Sequence, residues 1–302
     1  PFMKFGVTIP NNWGFPDPSD VVAMGPLAES LGFDSIWVMD HLFNNGYIRE
    51  RLDDAPYYHP LSILSYLSAT TQSITLGTSV LVMPYHNPVE LAKYTATLDQ
   101  ISGGRLTLGV GVGAMSEEFD ALGISLKDRG SLTNESINIL KELWTNENPS
   151  YSSSRWNFSD LKFSPKPLQK PSIPIWIGGA SDGALARAAR VGDGWHPSGM
   201  DPSAYSIKKQ QIEELAESQN RDISHFAWST RVEVQAHGKP SSERAAQRAT
   251  LSGDSSDHMI NGIAEYESSG ADHIILAINS GDVIRIKELM HTISEEVMPS
   301  FL

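Results

Sequence analysis

The sequence predicts a (β/α)8 TIM barrel with insertion loops, on three observations. Eight short apolar runs alternate with segments of helical period, the pattern of βα units on a parallel sheet. The 302-residue length suits one barrel of about 250 residues with added loops. The first run is followed by PNNWGFPDPSD (10–20) and not by the Gly-x-Gly-x-x-Gly turn of a dinucleotide-binding open sheet. A single domain over 1–302 is expected, with an insertion at about 146–174.

The runs are KFGVTI (4–9), SIWVMD (35–40), ITLGTSVLVM (74–83), RLTLGVGV (105–112), IPIWIGG (173–179), GWH (194–196), TRVEVQ (230–235) and HIILAI (273–278). Between them, Val21, Met24, Leu27, Ala28 and Leu31 share one helical face. Gly32 stands where a left-handed C-terminal cap is wanted. Gly25-Pro26 inside that helix predicts a kink or a late start. Val89 to Leu98, Leu132 to Trp144, Ala184 to Val191 and Val283 to Val297 supply further helices. Phe15–Pro18 and Phe43–Tyr58 read as loops, and RWNFSDLKF (155–163) as a small hairpin within the insertion. Loops this long tend to be lids or binding loops.

Composition narrows the function classes. Hydrophobic residues make up 40% and charged residues 20%, a globular balance. A net charge of −13 argues against a nucleic-acid or anionic-membrane surface. The chain has no cysteine, hence no disulfide, thiolate metal site or thiol nucleophile. PFMKFGVTIPNN lacks signal-peptide features, and no apolar run reaches a membrane span. A cytoplasmic protein acting on a small organic molecule is expected, and a homodimer is compatible with the sequence.

In a barrel, chemistry sits at the C-terminal strand ends, which selects the residues to weigh. Asp40 and His41 end the second run. His41 could exchange a proton near neutral pH, or be a loop histidine bonded for structure. Ser79-Val80 lies in the third run, where the hydroxyl faces either a ligand or a neighbouring carbonyl. Gly109-Val110-Gly111-Val112-Gly113 ends the fourth. Its glycines either clear a face for a flat ring or serve tight packing. Glu117 and Glu118 read as helix-start charges. Gly178-Gly179-Ala180-Ser181-Asp182-Gly183 leads into a helix whose N-terminal amides could hold a phosphate, with Asp182 as a discordant charge or a cap. Trp195 reads as a core aromatic, and His59 and His86 as surface residues.

In order, LAESLGFDSIWVMDH (27–41), LGTSVLVMPYHNPVELAKYTATLDQISGGRLTLGVGVG (76–113), EEFDALGI (117–124), PSIPIWIGGASDGALARAARVGDGWHP (171–197) and GADHIILAI (270–278) resemble the luciferase-like monooxygenase superfamily. The resemblance is closest to its coenzyme F420-dependent oxidoreductases. It implies a flavin or deazaflavin ring at the barrel mouth, with Asp40 and His41 near it and His41 as proton donor or acceptor. It implies a non-prolyl cis peptide at Ser79-Val80, cofactor contacts from Gly111, Val112 and Gly113, and phosphate binding by Gly178, Gly179, Ala180 and Ser181. The 146–174 insertion would cover the substrate side. No lysine cluster for a substrate phosphate maps onto this chain.

The reading is thus hydride or two-electron transfer between F420, the preferred cofactor, and an organic substrate, with no metal. A reduced-FMN-dependent monooxygenase is the alternative. A barrel that serves only as a non-catalytic partner subunit is a third. A metal hydrolase using Asp40, His41, His86 and His196 lacks a His-x-His pair. A Schiff-base aldolase lacks a strand-end lysine, because Lys4 begins its strand.

Overall fold

The computed structural model describes residues 2–236 and 249–301. Each of the eight apolar runs forms a strand: β1 (Lys4–Thr8), β2 (Ser35–Val38), β3 (Thr75–Thr78), β4 (Leu106–Gly111), β5 (Ile175–Gly178), β6 (Gly194–His196), β7 (Ala227–Gln235) and β8 (His273–Asn279). All neighbours are parallel. β1 pairs with both β2 and β8, and β7 with both β6 and β8, so the sheet closes on itself. Two short strands are additions: Leu81–Val82 continues the third run alongside β4, and Thr250–Ser252 pairs outside β7. The fold is a (β/α)8 barrel, as the alternation of runs and helices requires.

The third run is interrupted after Thr78, and the Ser79–Val80 peptide there is cis. The first helix is also interrupted. It forms two pieces, Pro18–Val22 and Met24–Ser30, so Pro26 falls in a first turn, where a missing N–H breaks no intrahelical bond. Gly32 takes φ +81°, and the following Phe33 N–H closes on the Ala28 carbonyl at 3.1 Å, a glycine-terminated helix end. The hairpin of the insertion pairs Tyr151–Ser152 with Asn157–Phe158; its first strand precedes the expected segment.

The barrel floor is filled with aromatic side chains. Trp37 stacks on Trp176 at 5.1 Å and on His196 at 4.9 Å. Gly77 and Gly194 make room for them, since a β-carbon there would lie 2.3 Å from Trp37 and 2.5 Å from Trp176. Above this plug the mouth is open.

At the opposite, N-terminal end, Arg105 ties the helix Pro60–Thr70 to the start of β4. Its guanidinium donates to the Ser102, Ile74, Ser68 and Thr71 carbonyls and to Thr71 Oγ1, at 2.6–3.1 Å. Arg105→Met leaves these acceptors unpaired. It is expected to lower the unfolding free energy by about 3 kcal/mol, the scale of a hydrogen bond to a charged group, read as a shifted urea midpoint with unchanged slope.

Candidate active site at the barrel mouth

A cavity of about 380 Å³ lies at the C-terminal end of the strands, within the range of roughly 300–1,000 Å³ typical of small-molecule sites. Of the residues singled out in the sequence, Asp40, His41, Ser79, Val80, Gly111, Val112, Gly113, Gly178 and Gly179 line it. Ala180 and Ser181 do not: Ser181 caps the helix Asp182–Val191 by accepting from the Ala184 N–H. Asp182, the discordant charge, is exposed. The segment 46–57 covers the mouth, with Tyr47, Ile48, Arg51 and Tyr57 facing the cavity.

Residues 146–174 contribute nothing to the cavity wall. Within them, Gln169 bonds Asp99 and the Leu106 carbonyl, at the start of β4 and so at the far end of the barrel. The expectation that this insertion covers the substrate side is therefore corrected. Of the two readings of the fourth-strand glycines, the contacts of Gly109 and Gly111 are those of tight packing. A β-carbon on Gly109 would sit 2.0 Å from the Thr78 carbonyl oxygen, and one on Gly111 2.6 Å from Val80. One on Gly178 would sit 2.8 Å from Val80. These glycines admit the turn after β3, and the surface they help present to the cavity is that of Val80.

His41 is held from both sides. Its Nδ1 lies 2.9 Å from Glu118 Oε2 and its Nε2 3.1 Å from the Tyr47 hydroxyl. Glu118 is fully buried. It also accepts from the Leu42 and Phe43 amides and from the Tyr85 hydroxyl. The helix-start reading of Glu118 is thus corrected: its charge is consumed by four donors from two segments, 41–43 and Tyr85. Burial raises its pKa, but the bonds from His41 and Tyr85, the His41 charge and the Leu42 amide outweigh this and leave it below the ordinary carboxylate value. An ionised carboxylate only accepts, so His41 Nδ1 carries a proton and Nε2 is the nitrogen free to exchange one. Burial, together with the Glu118 bond, pushes the Tyr85 phenol up, keeping it neutral and donating.

Asp40 is buried. Its Oδ2 accepts from the Val82 amide at 2.9 Å and pairs with His86 Nε2 at 2.7 Å. His86 is therefore no free surface residue, although its neighbour His59 is exposed. Ser79 Oγ meets His196 Nε2 at 2.8 Å, and His196 Nδ1 meets Ser229 Oγ at 2.8 Å. Ser229 donates to the Trp195 carbonyl, so His196 Nδ1 must donate to Ser229. Burial, Arg231 and His273 hold the His196 pKa well below the imidazole range. Its bare Nε2 then accepts the Ser79 proton. Arg231, on β7, donates to the Ser79 carbonyl at 2.8 Å and pairs with Glu233 at 3.4 Å. Trp195 is fully buried, as read, and donates to the Gly179 carbonyl.

Among the described residues, no three His, Asp or Glu side chains are grouped to hold a metal. Among them, too, no helix is long and apolar enough to cross a membrane.

The chain is similar to several known proteins. An F420-dependent glucose-6-phosphate dehydrogenase of Microbacterium testaceum (strain StLB037) is 32% identical over 220 residues, 67% of this chain and 61% of that one. A 5,10-methylenetetrahydromethanopterin reductase of Archaeoglobus fulgidus is 31% identical over 212 residues, 70% of this chain and 58% of that one. The chain thus spans about six-tenths of the length of these relatives. Among solved structures, an F420-dependent secondary alcohol dehydrogenase in complex with an F420-acetone adduct superposes with TM-score 0.83 at 19% identity, over all of both chains. An FMN-bound type II Baeyer-Villiger monooxygenase of Pseudomonas putida superposes with TM-score 0.75 at 18% identity, over 100% of this chain and 99% of that one. These two show the shared barrel fold. The family model described as luciferase-like monooxygenase matches residues 3–283, and the chain belongs to that family.

Proposed function

We propose that this protein is an oxidoreductase that uses coenzyme F420 to move a hydride to or from a small organic substrate. One observation carries the reading: the Glu118–His41–Tyr47 array stands at the edge of an open barrel-mouth cavity whose wall includes the Ser79–Val80 turn. Sequence relatives whose names specify F420 support the choice of cofactor. Reduced FMN with oxygen is the second reading, favoured by the fold likeness to the FMN-bound monooxygenase.

The residues fit such a group. Asp40 Oδ1, Tyr57 Oη and Arg231 Nε are buried without a hydrogen-bond partner, and all three residues line the cavity. Unpaired buried polar atoms are costly, so a ligand with both donors and acceptors at its edge would relieve them. Asp40, Ser79, Val80 and Gly111 to Gly113 would hold the ring. Gly178 and Gly179, with the amides at Ala180 and Ser181, would hold its phosphate.

When bound, the deazaflavin supplies the two-electron chemistry. The chain supplies position, a dry pocket and a proton path. Glu118 fixes His41 with Nε2 toward Tyr47 and the cavity. His41 Nε2 then takes a proton from a substrate hydroxyl during oxidation, or returns one to a carbonyl oxygen during reduction. Tyr47 hydrogen-bonds that nitrogen and keeps it in register.

Spectrophotometric titration of the purified chain with F420 and with FMN tests the cofactor. F420 is expected to bind at least tenfold more tightly. Tighter binding of FMN would move the assignment to the monooxygenase reading, and no saturable binding of either would refute both.

A further inference from the structure

The mouth cavity carries a cation that the cofactor reading does not use. Arg51 projects into it from the helix Gly46–Leu52, its guanidinium 4.7 Å from the Trp13 ring centre. One nitrogen donates to the Asn12 carbonyl at 2.9 Å, while Nε is buried and has no partner. The other charges on the cavity wall each face a counter-charge, although Asp40 Oδ1 and Arg231 Nε keep no hydrogen-bond partner. Glu233 pairs with Arg231 at 3.4 Å, Asp40 with His86 at 2.7 Å, and His41 with Glu118 at 2.9 Å. No carboxylate among the described residues pairs with Arg51. Burial draws its pKa below the ordinary guanidinium value, and the nearest charges and phenols acting on it are Tyr57, Tyr47, Glu233 and Arg231. A guanidinium is not neutralised by such a shift; it stays charged.

We infer that Arg51, seated on Trp13 at the lid side of the mouth, is an oxyanion-recognition site, and that the substrate carries a carboxylate or phosphate group. The assignment deepens the proposed oxidoreductase function and takes from it only that the cavity is the substrate site. A planar guanidinium with open donors matches an oxyanion with two acceptor oxygens. Stacking on an indole fixes its plane before the ligand arrives, so little freedom is lost on binding. In the proposed cofactor pose the phosphate would lie at the amides following β5, three strands away from the β2 loop that carries Arg51.

The test uses the chain without cofactor. Inorganic phosphate and acetate are titrated at constant ionic strength, with chloride as the balancing salt. Affinity of the wild type and each variant is read by titration calorimetry, and the wild-type site by the Arg51 Nε–H signal in nitrogen-edited NMR, assigned by its loss in Arg51→Met. A saturable shift is expected in the wild type. Arg51→Met should weaken phosphate binding at least tenfold, and Arg51→Lys, which keeps a cation, by a smaller factor. FMN and riboflavin affinities, measured on wild type and Arg51→Met, separate the two sources of an anion. An unchanged FMN-to-riboflavin ratio is expected. Absence of a saturable shift, or equal phosphate binding by Arg51→Met, would overturn the inference. So would a fall in FMN affinity that riboflavin does not share, because Arg51 would then serve the cofactor phosphate. Failure of both flavins to bind would sink the FMN reading alone and leave the phosphate titration to decide this one.

Discussion

Glu118→Gln is expected to lower turnover by roughly 100-fold or more, within the range of general acid–base contributions, and to weaken the fold as well. The carboxylate accepts from His41, Tyr85 and two backbone amides. An amide has one accepting oxygen, so its NH2 group must face at least one of these donors in a fully buried position. The resulting loss of stability is about 2–4 kcal/mol, from unpaired donors and a lost charge-assisted bond. His41 also loses the charge that fixes its Nδ1 proton, and the exchanging nitrogen is no longer specified. The pH dependence follows from the sign of the Glu118 shift. Its folded pKa lies below the ordinary, unfolded value. Its contribution to stability is therefore present above the unfolded carboxylate range and fades as the pH falls through the lowered folded value. The wild type should lose part of its stability in that acid window, and Glu118→Gln should lose correspondingly less. Denaturant unfolding at a series of pH values reads this difference directly.

His41→Ala should cut turnover by about 100- to 10,000-fold while changing F420 affinity only several-fold. The imidazole spans Glu118 and Tyr47 at one edge of the cavity, whereas the surface assigned to the ring is built by Ser79, Val80 and the fourth-strand turn. Single-turnover rates with preloaded cofactor separate the two effects. Turnover equal to wild type would remove His41 from the chemistry. A parallel collapse of cofactor affinity would make it a binding residue instead.

The barrel was legible because its strands are short, apolar and evenly interleaved with helices, so even the three-residue strand Gly194–His196 falls where the spacing requires. The site was legible in part. Asp40 and His41 declare themselves as charged and titratable residues closing an apolar strand. Glu118 does not, because two consecutive glutamates at a helix start look like solvated first-turn charges; only its neighbour Phe119, buried beside it, hinted that this turn faces inward. His86 was hidden by its position after a proline turn. Arg231 and Glu233 had a signal in the alternation of β7: with Ser229 they occupy one face, while Val232 and Val234 occupy the other. Two charges at i and i+2 within an apolar strand mark a wall of the barrel interior. Arg51 carried no such mark, because its segment reads as a polar loop until the helix Gly46–Leu52 sets it over Trp13. The direction of the insertion was likewise invisible, since the Gln169 contacts to Asp99 and Leu106 join segments more than sixty residues apart.

A crystal structure of the chain grown with F420 tests the central claim most directly. The account predicts the deazaflavin ring against the Ser79–Val80 turn, with His41 Nε2 within hydrogen-bond reach of the reacting centre and the phosphate at the amides after β5. A ring bound outside the mouth, or a cavity closed over by side chains with F420 at saturating concentration, would contradict it.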